Sequence, residues 1–449
     1  LYYTSYANGG EVRRIAYTGT TNRSPTAAIA ATPRSGAAPL TVNFNGSGSS
    51  DPDGDPLTWE WDVGDGSAHV NGAKVSHTYP TSGTYTATLY VHDNRGATGT
   101  ATVRIDVGNT PPVPKITSPT TSTQFAVGQT LLLTGSATDA QDGTLPPAQL
   151  EWTVLQHHNT HTHPYVSPTT GNNIELRAPA PEDLVATTTS YLEIQLKATD
   201  SQGLTSAITQ EVRPKLVDVT FTTPTAGRQL MVNDVSITTP RTLVSWEGYK
   251  LNVVAPPQTD ATGRAIELDR WNDGNGHFRR TIVTPAAATT YTAVFSAGQG
   301  LKGEYYDNTN FTAPKVSRTD PTVNFMWGTG SPASAIAPDT FSVRWTGTVQ
   351  PRYTETYTFT TIADDGMRVW VNGQQVINDW SGGPSESSGT IVLEAGKKYT
   401  IKIEHFEGVG SATAQLLWSS PSQARQIIPQ TRLHLPVSTT FVPITGDGK

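Results

Sequence analysis

Two aspartates stand side by side, Asp364-Asp365, just before Gly366 and at the end of a strand-like run. Adjacent carboxylates repel, so an exposed pair is normally solvated or turned apart. A hard cation reverses that balance, because Ca²⁺ takes about six to eight oxygen ligands and rewards clustered negative charge. The plainer alternative is that Asp364 caps a turn and Asp365-Gly366 is an ordinary bend. A second acidic group, Asp51-Pro52-Asp53-Gly54-Asp55, spaces three carboxylates two residues apart, as many calcium loops begin. The bidentate glutamate of an EF-hand is missing at the required distance, so that motif is rejected. Asp93, ending a later strand, is placed to join Asp51, Asp53 and Asp55; a solvated Asp-Gly turn is the alternative. The same reasoning extends to Asp139, Asp142 and Asp200.

The run His157-His158-Asn159-Thr160-His161-Thr162-His163 holds four of the chain's ten histidines. If it stays extended, alternation puts His157, His161 and His163 on one face and His158 on the other. Three imidazoles on one face suit Zn²⁺ or Cu²⁺. Asn159-Thr160 also reads as a turn, which would break that register and leave loop histidines packed on Tyr165.

No Gly-x-Ser-x-Gly elbow places a nucleophile, and the glycine-rich stretches precede strands rather than the helix that a phosphate loop requires. No carboxylate pair lies in a hydrolase-like segment, so the expectation is a non-catalytic chain.

The elements that must hold these groups are strands. The chain has 449 residues, only 15% of them charged, with 40 Gly and 32 Pro to punctuate many short segments. Turn signals recur every 8–12 residues, the spacing of sandwiches, and the fold class is all-β. A net charge of −7 without any Lys/Arg run argues against nucleic-acid binding. No run of about 18 apolar residues exists to insert a helix into a membrane. Cysteine is absent, which removes disulfides, thiol chemistry and Cys-ligated zinc.

Pro/Thr/Gly-rich breaks divide the chain into 1–19, 24–108, 112–215, 216–296, 299–436 and a tail, 437–449. In the second segment Trp59, Trp61 and Val63 alternate onto one face, as do Tyr85, Ala87, Leu89 and Val91. Its "GSGSSDPDGDPLTWEWDVGDG" and "HTYPTSGTYTATLYVHDNRG" resemble a PKD domain, an immunoglobulin-like sandwich of extracellular proteins. In 112–215, "GSATDAQDG", "LEWTV" and "LEIQLKATDSQG" echo that pattern, pointing to a second, diverged immunoglobulin-like sandwich with a His-rich insertion. "RWNDGNGHFRRTIVTPAAATTYTAVF" resembles a β-grasp-like repeat related to the internalin B-repeat, which implies a spacer or adhesive role. "LYYTSYANGGEVRRIAYTG" reads as two strands around Asn8-Gly9-Gly10 and resembles the end of a soluble sugar (glucose/sorbosone) dehydrogenase β-propeller. The opening is therefore expected to be the cut edge of a larger precursor.

The last segment carries "GLKGEYYDNTNF", "FSVRWTGTVQPRYTETYTFTTIADDGMRVWVNGQQVI" and "VLEAGKKYTIKIEHFEGVGSATAQLLW". Within it Asn372-Gly373 predicts a hairpin turn, and Tyr399, Ile401 and Ile403 alternate inward while Lys402 and Glu404 face out. These motifs, in this order, resemble a PA14 domain, a β-sandwich of adhesins, glycosidases and toxins. In calcium-dependent PA14 lectins an Asp-Asp pair, often joined by a cis peptide, holds Ca²⁺ that grips vicinal sugar hydroxyls. That resemblance implies that Asp364 and Asp365 are first ligands and sugar contacts. It nominates Asn378 and Asp379 as further metal ligands, with Glu404 and Glu407 as alternatives, and Trp380 as the ring on which a sugar stacks.

The expectation is an extracellular, monomeric accessory or adhesion region. Its PA14 domain would bind glycan or polysaccharide through Ca²⁺, with the other modules as spacers. Two alternatives stay open: a calcium-stiffened stalk, or the tail of a quinone-dependent sugar dehydrogenase or other carbohydrate-active enzyme.

Overall fold

A computed structural model describes residues 2–5, 9–14 and 21–436. Among the described residues there is no α-helix; strands carry the chain, with three-residue 3₁₀ turns between some of them. No helix among the described residues is long and apolar enough to cross a membrane. The first strands, Tyr2–Ser5 and Glu11–Arg14, pair antiparallel. Asn8 of their expected turn and the 437–449 tail lie outside the described residues.

The chain forms two compact units. One comprises Leu1–Gln124, Thr130–Arg177 and Tyr191–Arg213; the other comprises Phe125–Gln129, Ala178–Ser190 and Pro214–Lys449.

The first unit contains both immunoglobulin-like patterns. A sheet of Ala30–Thr32, Leu40–Asn45 and Lys74–Tyr79 faces a five-stranded sheet containing Leu57–Asp62, Gly83–Asp93 and Thr98–Val107. The expected alternation holds, since Trp61, Val63, Ala87, Leu89 and Val91 are fully buried. Trp61 donates its indole N–H to the Gly72 carbonyl, 2.9 Å, so the bulkiest core side chain keeps its polar atom satisfied. The echo of this pattern repeats the arrangement: Trp152 is buried and donates to the Gly171 carbonyl, 3.0 Å. Its strand, Leu150–His158, lies between Tyr191–Thr199 and the edge strand His161–Thr170. Pro164 and Pro168 on that edge strand cost no ladder hydrogen bond on the open side.

In the second unit, 216–296 is built wholly of strands in two sheets around Phe221, Leu251, Leu268 and Trp271; one sheet pairs Leu216–Thr222 with Thr289–Ser296 in parallel. The last sandwich packs a sheet containing Leu301–Tyr306, Phe341–Val349, Tyr399–Glu407, Met367–Val371 and Gln374–Asp379 against one containing Ala412–Ser420, Glu355–Asp364 and Ser385–Leu393. Between them lie Trp345, Tyr357, Phe359, Met367, Ile403 and Trp418. The Asn372-Gly373 turn has positive φ at both residues, 51° and 77°, as a twist-matched two-residue hairpin requires. Gly389 sits mid-strand where an added Cβ would collide with the Val376 carbonyl oxygen. Gly389→Ala is expected to destabilise this sandwich by roughly 1–3 kcal/mol, the usual range for overpacking, read by chemical denaturation.

Candidate functional site

Strand Glu355–Asp364 belongs to one sheet of the last sandwich and Met367–Val371 to the other, so Asp364-Asp365-Gly366 is the crossing between them. The Asp364-Asp365 peptide is cis. The neighbouring strand Tyr399–Glu407 ends at this crossing, with His405 in register with Met367. Gly366 is needed for the packing: a Cβ there would meet the Phe406 ring and, at 3.1 Å, the Cα of Trp380.

Asp365 is buried and ties two loops to the crossing. One carboxylate oxygen accepts the Gly383 N–H and the other accepts the Gly408 N–H, the latter at 2.7 Å. Each oxygen keeps a lone pair for another partner. Glu407 continues the inward alternation of Ile401, Ile403 and His405 and is completely buried. Neither of its carboxylate oxygens has a hydrogen-bond partner among the described residues. Burial, followed by the Asp365, Asp364 and Asp339 charges, pushes its carboxyl up to about 7. Burial and then Asp365 likewise raise Asp364 above the usual carboxylate range. Exposed Asp339 accepts the Gly410 N–H at 3.0 Å, holding a fourth carboxylate at this end. These groups are all hard oxygens in mutual repulsion, the donor type that a hard divalent cation takes.

The other nominated residues make hydrogen bonds of their own. Asp379 takes the Ser381 and Ser387 hydroxyls at 2.5 and 2.7 Å. Serines 381, 387 and 385 hold its carboxyl down to about 2. Asn378 is exposed on the other face of its strand, where its side-chain oxygen accepts from Gln375 Nε2 at 3.1 Å. Glu404, expected to face out, is buried beneath Arg344, 2.9 Å, and Arg368, 2.7 Å, so of the two alternatives it is the one already paired with cations. Trp380 borders the crossing and is 37% exposed. The Arg368 guanidinium lies 3.7 Å from its ring centroid and Phe406 packs at 4.6 Å, so the indole is held in place with part of its surface open.

In the first unit, Asp51, Asp53 and Asp55 bring carboxylate oxygens within 4.8 Å of one another. Asp51 Oδ1 caps the turn by accepting from the Asp53 N–H at 2.7 Å and the Asp55 N–H at 3.3 Å. Arg23 grips Asp53 through its backbone and side chain, and Arg95 lies 3.4 Å from Asp55. Asp93, outside that group of three, accepts instead from Asn22, whose Nδ2 donates to Asp93 Oδ2 at 2.7 Å. Asn22 Oδ1, Asp51 Oδ2 and Asp55 Oδ2 remain buried without hydrogen-bond partners among the described residues. The second sandwich repeats the wiring: Asn109 Nδ2 donates to Asp200 at 2.6 Å, Asp139 Oδ1 caps Gln141 and Asp142, and Asp139 Oδ2 has no hydrogen-bond partner among the described residues. The two asparagines escaped the sequence reading. Their signal was there, since each lies in a segment break two or three residues before a proline, Pro25 or Pro111.

The histidine expectation needs correction. His158, His161 and His163 bring ring nitrogens within 4.8 Å of one another, while His157 lies apart. His157 stacks on Tyr191 at 4.4 Å and pairs with Glu193 at 3.0 Å. The chain reverses at Asn159-Thr160, so His158 faces His161 across a hairpin and Gln156 faces His163. Counting alternation straight through that turn exchanged the two faces.

Residues 298–432 match the PA14 domain family, and residues 22–107 match the PKD domain family. The chain therefore carries both domains. The anti-sigma-I factor RsgI3 of Acetivibrio thermocellus is 49% identical over 156 residues, 34% of this chain and 24% of that protein. Protective antigen of Bacillus anthracis is 30% identical over 146 residues, 31% of this chain and 18% of that protein. The chain thus spans about a quarter or less of these relatives. Among solved structures, a PA14 sugar-binding domain from an RTX adhesin is 19% identical, covering 31% of this chain and 99% of its own, with a TM-score of 0.27.

Proposed function

We propose that this chain is a non-catalytic, extracellular binding region whose PA14 domain holds Ca²⁺ at Asp364, Asp365 and Glu407 and captures carbohydrate through that ion, with the remaining modules as spacers. The observation that carries the reading is Glu407, a fully buried carboxylate whose oxygens have no hydrogen-bond partner among the described residues and which feels the charges of Asp365 and Asp364. Such a group is costly without a counter-charge, and a divalent cation supplies one. Vicinal hydroxyls are hard oxygen donors that replace water on Ca²⁺, and the open part of Trp380 offers an apolar surface at the rim for a sugar ring. A single shallow site of this kind binds weakly, so retention would draw on several modules or several sites on a polymer.

The asparagine-to-aspartate links Asn22–Asp93 and Asn109–Asp200 favour a second role for calcium. In each immunoglobulin-like sandwich a linker residue is tied to an acidic cage, so an ion at Asp51, Asp53 and Asp55, or at Asp139, would stiffen the stalk.

A glycan array probed with the full chain in Ca²⁺ and in EDTA separates the readings. Binding that disappears in EDTA and in the Asp364→Asn/Glu407→Gln variant is expected. Calcium-dependent thermal stabilisation without glycan binding would leave only the stalk, and glycan binding that survives both treatments would overturn the ion-mediated mechanism.

A further inference from the structure

We propose that the tip of the hairpin formed by Leu150–His158 and His161–Thr170 is a transition-metal site, taking a borderline divalent cation of the Zn²⁺ class on His158, His161 and His163. It lies in the second sandwich and is independent of the calcium reading.

The backbone brings the ligands together. In a two-residue hairpin the last residue of one strand faces the first residue of the next, and the side chain two positions further along shares that face. His158 faces His161, and His163 follows two residues later. The turn itself is fixed by Asn159, whose φ of 48° suits a residue type that tolerates the left-handed region. Three imidazoles are thereby placed on one face by a rigid ladder, not by a loose loop.

The distances match one shared ion. His158 Nε2 lies 3.1 Å from His163 Nε2. Two nitrogens bound to the same tetrahedral zinc at about 2.0–2.1 Å are about 3.3 Å apart, so this pair already sits at near-ligand separation. His161 has a ring nitrogen within 4.8 Å of both, and its ring centroid is 3.9 Å from that of His158 and 5.1 Å from that of His163. His161 is exposed at the hairpin tip, where a side-chain rotation closes the remaining gap. His158 is only 6% exposed, so one ligand is anchored in the sandwich while the other two reach it from the surface.

The donor set selects the metal. Neutral imidazole suits Zn²⁺, Cu²⁺ and Ni²⁺, whereas Ca²⁺ and Mg²⁺ prefer oxygen, so the tip and the acidic sites would sort cations between them. Three protein ligands leave a tetrahedral ion one position for water or an outside donor.

The test uses the full chain, stripped with EDTA, dialysed, and held in excess Ca²⁺ to fill the oxygen sites. Co²⁺ is titrated in and its visible d–d absorption recorded, followed by displacement with Zn²⁺. One Co²⁺ per chain with tetrahedral absorption, displaced by Zn²⁺, is expected. Affinity should fall at least about tenfold in His161→Ala/His163→Ala and stay unchanged in His157→Ala, which removes a neighbouring imidazole outside the site. Both substituted ligands are exposed, so near-UV circular dichroism should report an intact sandwich. No tetrahedral Co²⁺ signal in the wild type, or an equal signal in the double variant, would overturn the assignment.

Discussion

Replacing Glu407 with Gln is expected to raise the melting temperature of the metal-free PA14 domain at pH 8 and to abolish its stabilisation by Ca²⁺. The two effects share a cause. The Glu407 carboxyl titrates near 7 in the folded chain, against an ordinary value near 4.3 when unfolded. Between those values the folded state holds a proton that the unfolded state has released. Metal-free stability therefore falls as pH rises through about 4.5 to 7, and above that window the full penalty stands, on the order of 3 kcal/mol. Glutamine carries no charge to bury, so the variant should lose most of this fall across the window and unfold roughly 5–10 °C higher at pH 8. In the wild type Ca²⁺ displaces the proton, so binding at pH 7 should release about half a proton from Glu407, rising towards one at lower pH. Thermal unfolding from pH 5 to 8, with and without EDTA, measures both effects. A variant still stabilised by Ca²⁺ would remove Glu407 from the site.

Glu267→Ala should have the opposite sign and destabilise the metal-free protein. Glu267, on strand Ala265–Trp271, pairs with Arg432 of the PA14 domain, accepts the Thr431 hydroxyl at 2.8 Å and lies 3.8 Å from Arg352. Burial alone would raise its carboxyl, but Arg432, Thr431 and Arg352 outweigh it and hold the group below the ordinary range. The Arg432 side chain is only 5% exposed, so removing Glu267 strands a buried charge at a cost of about 3–5 kcal/mol. The expected result in calorimetry is a split transition, with the PA14 domain and the 216–296 module melting separately. A single unshifted transition would show that they are not coupled through this pair.

Strand identity was legible because alternation survives any register: Trp61, Val63, Leu89 and Val91 turned inward as their spacing required. The PA14 and PKD patterns extended over enough residues for order as well as composition to show. Ligand choice was harder, because it depends on what else competes for each carboxylate. Nothing local distinguishes Asp379, satisfied by serines, from Asp365, which retains lone pairs for an ion. Glu407 was within reach, since extending the Tyr399, Ile401, Ile403 alternation places it on the buried face, where a charged residue needs an explanation. The histidine error came from a turn: the Asn159-Thr160 reversal moves His158 onto the face assigned to His157.

Calorimetric titration of Ca²⁺ into the chelated full chain, beside the Asp364→Asn/Glu407→Gln variant, tests the central claim most directly. The variant should lose one binding site and the proton release that accompanies it, while any sites in the immunoglobulin-like sandwiches persist. An isotherm unchanged by the two substitutions would contradict a calcium site at the Asp364-Asp365 crossing.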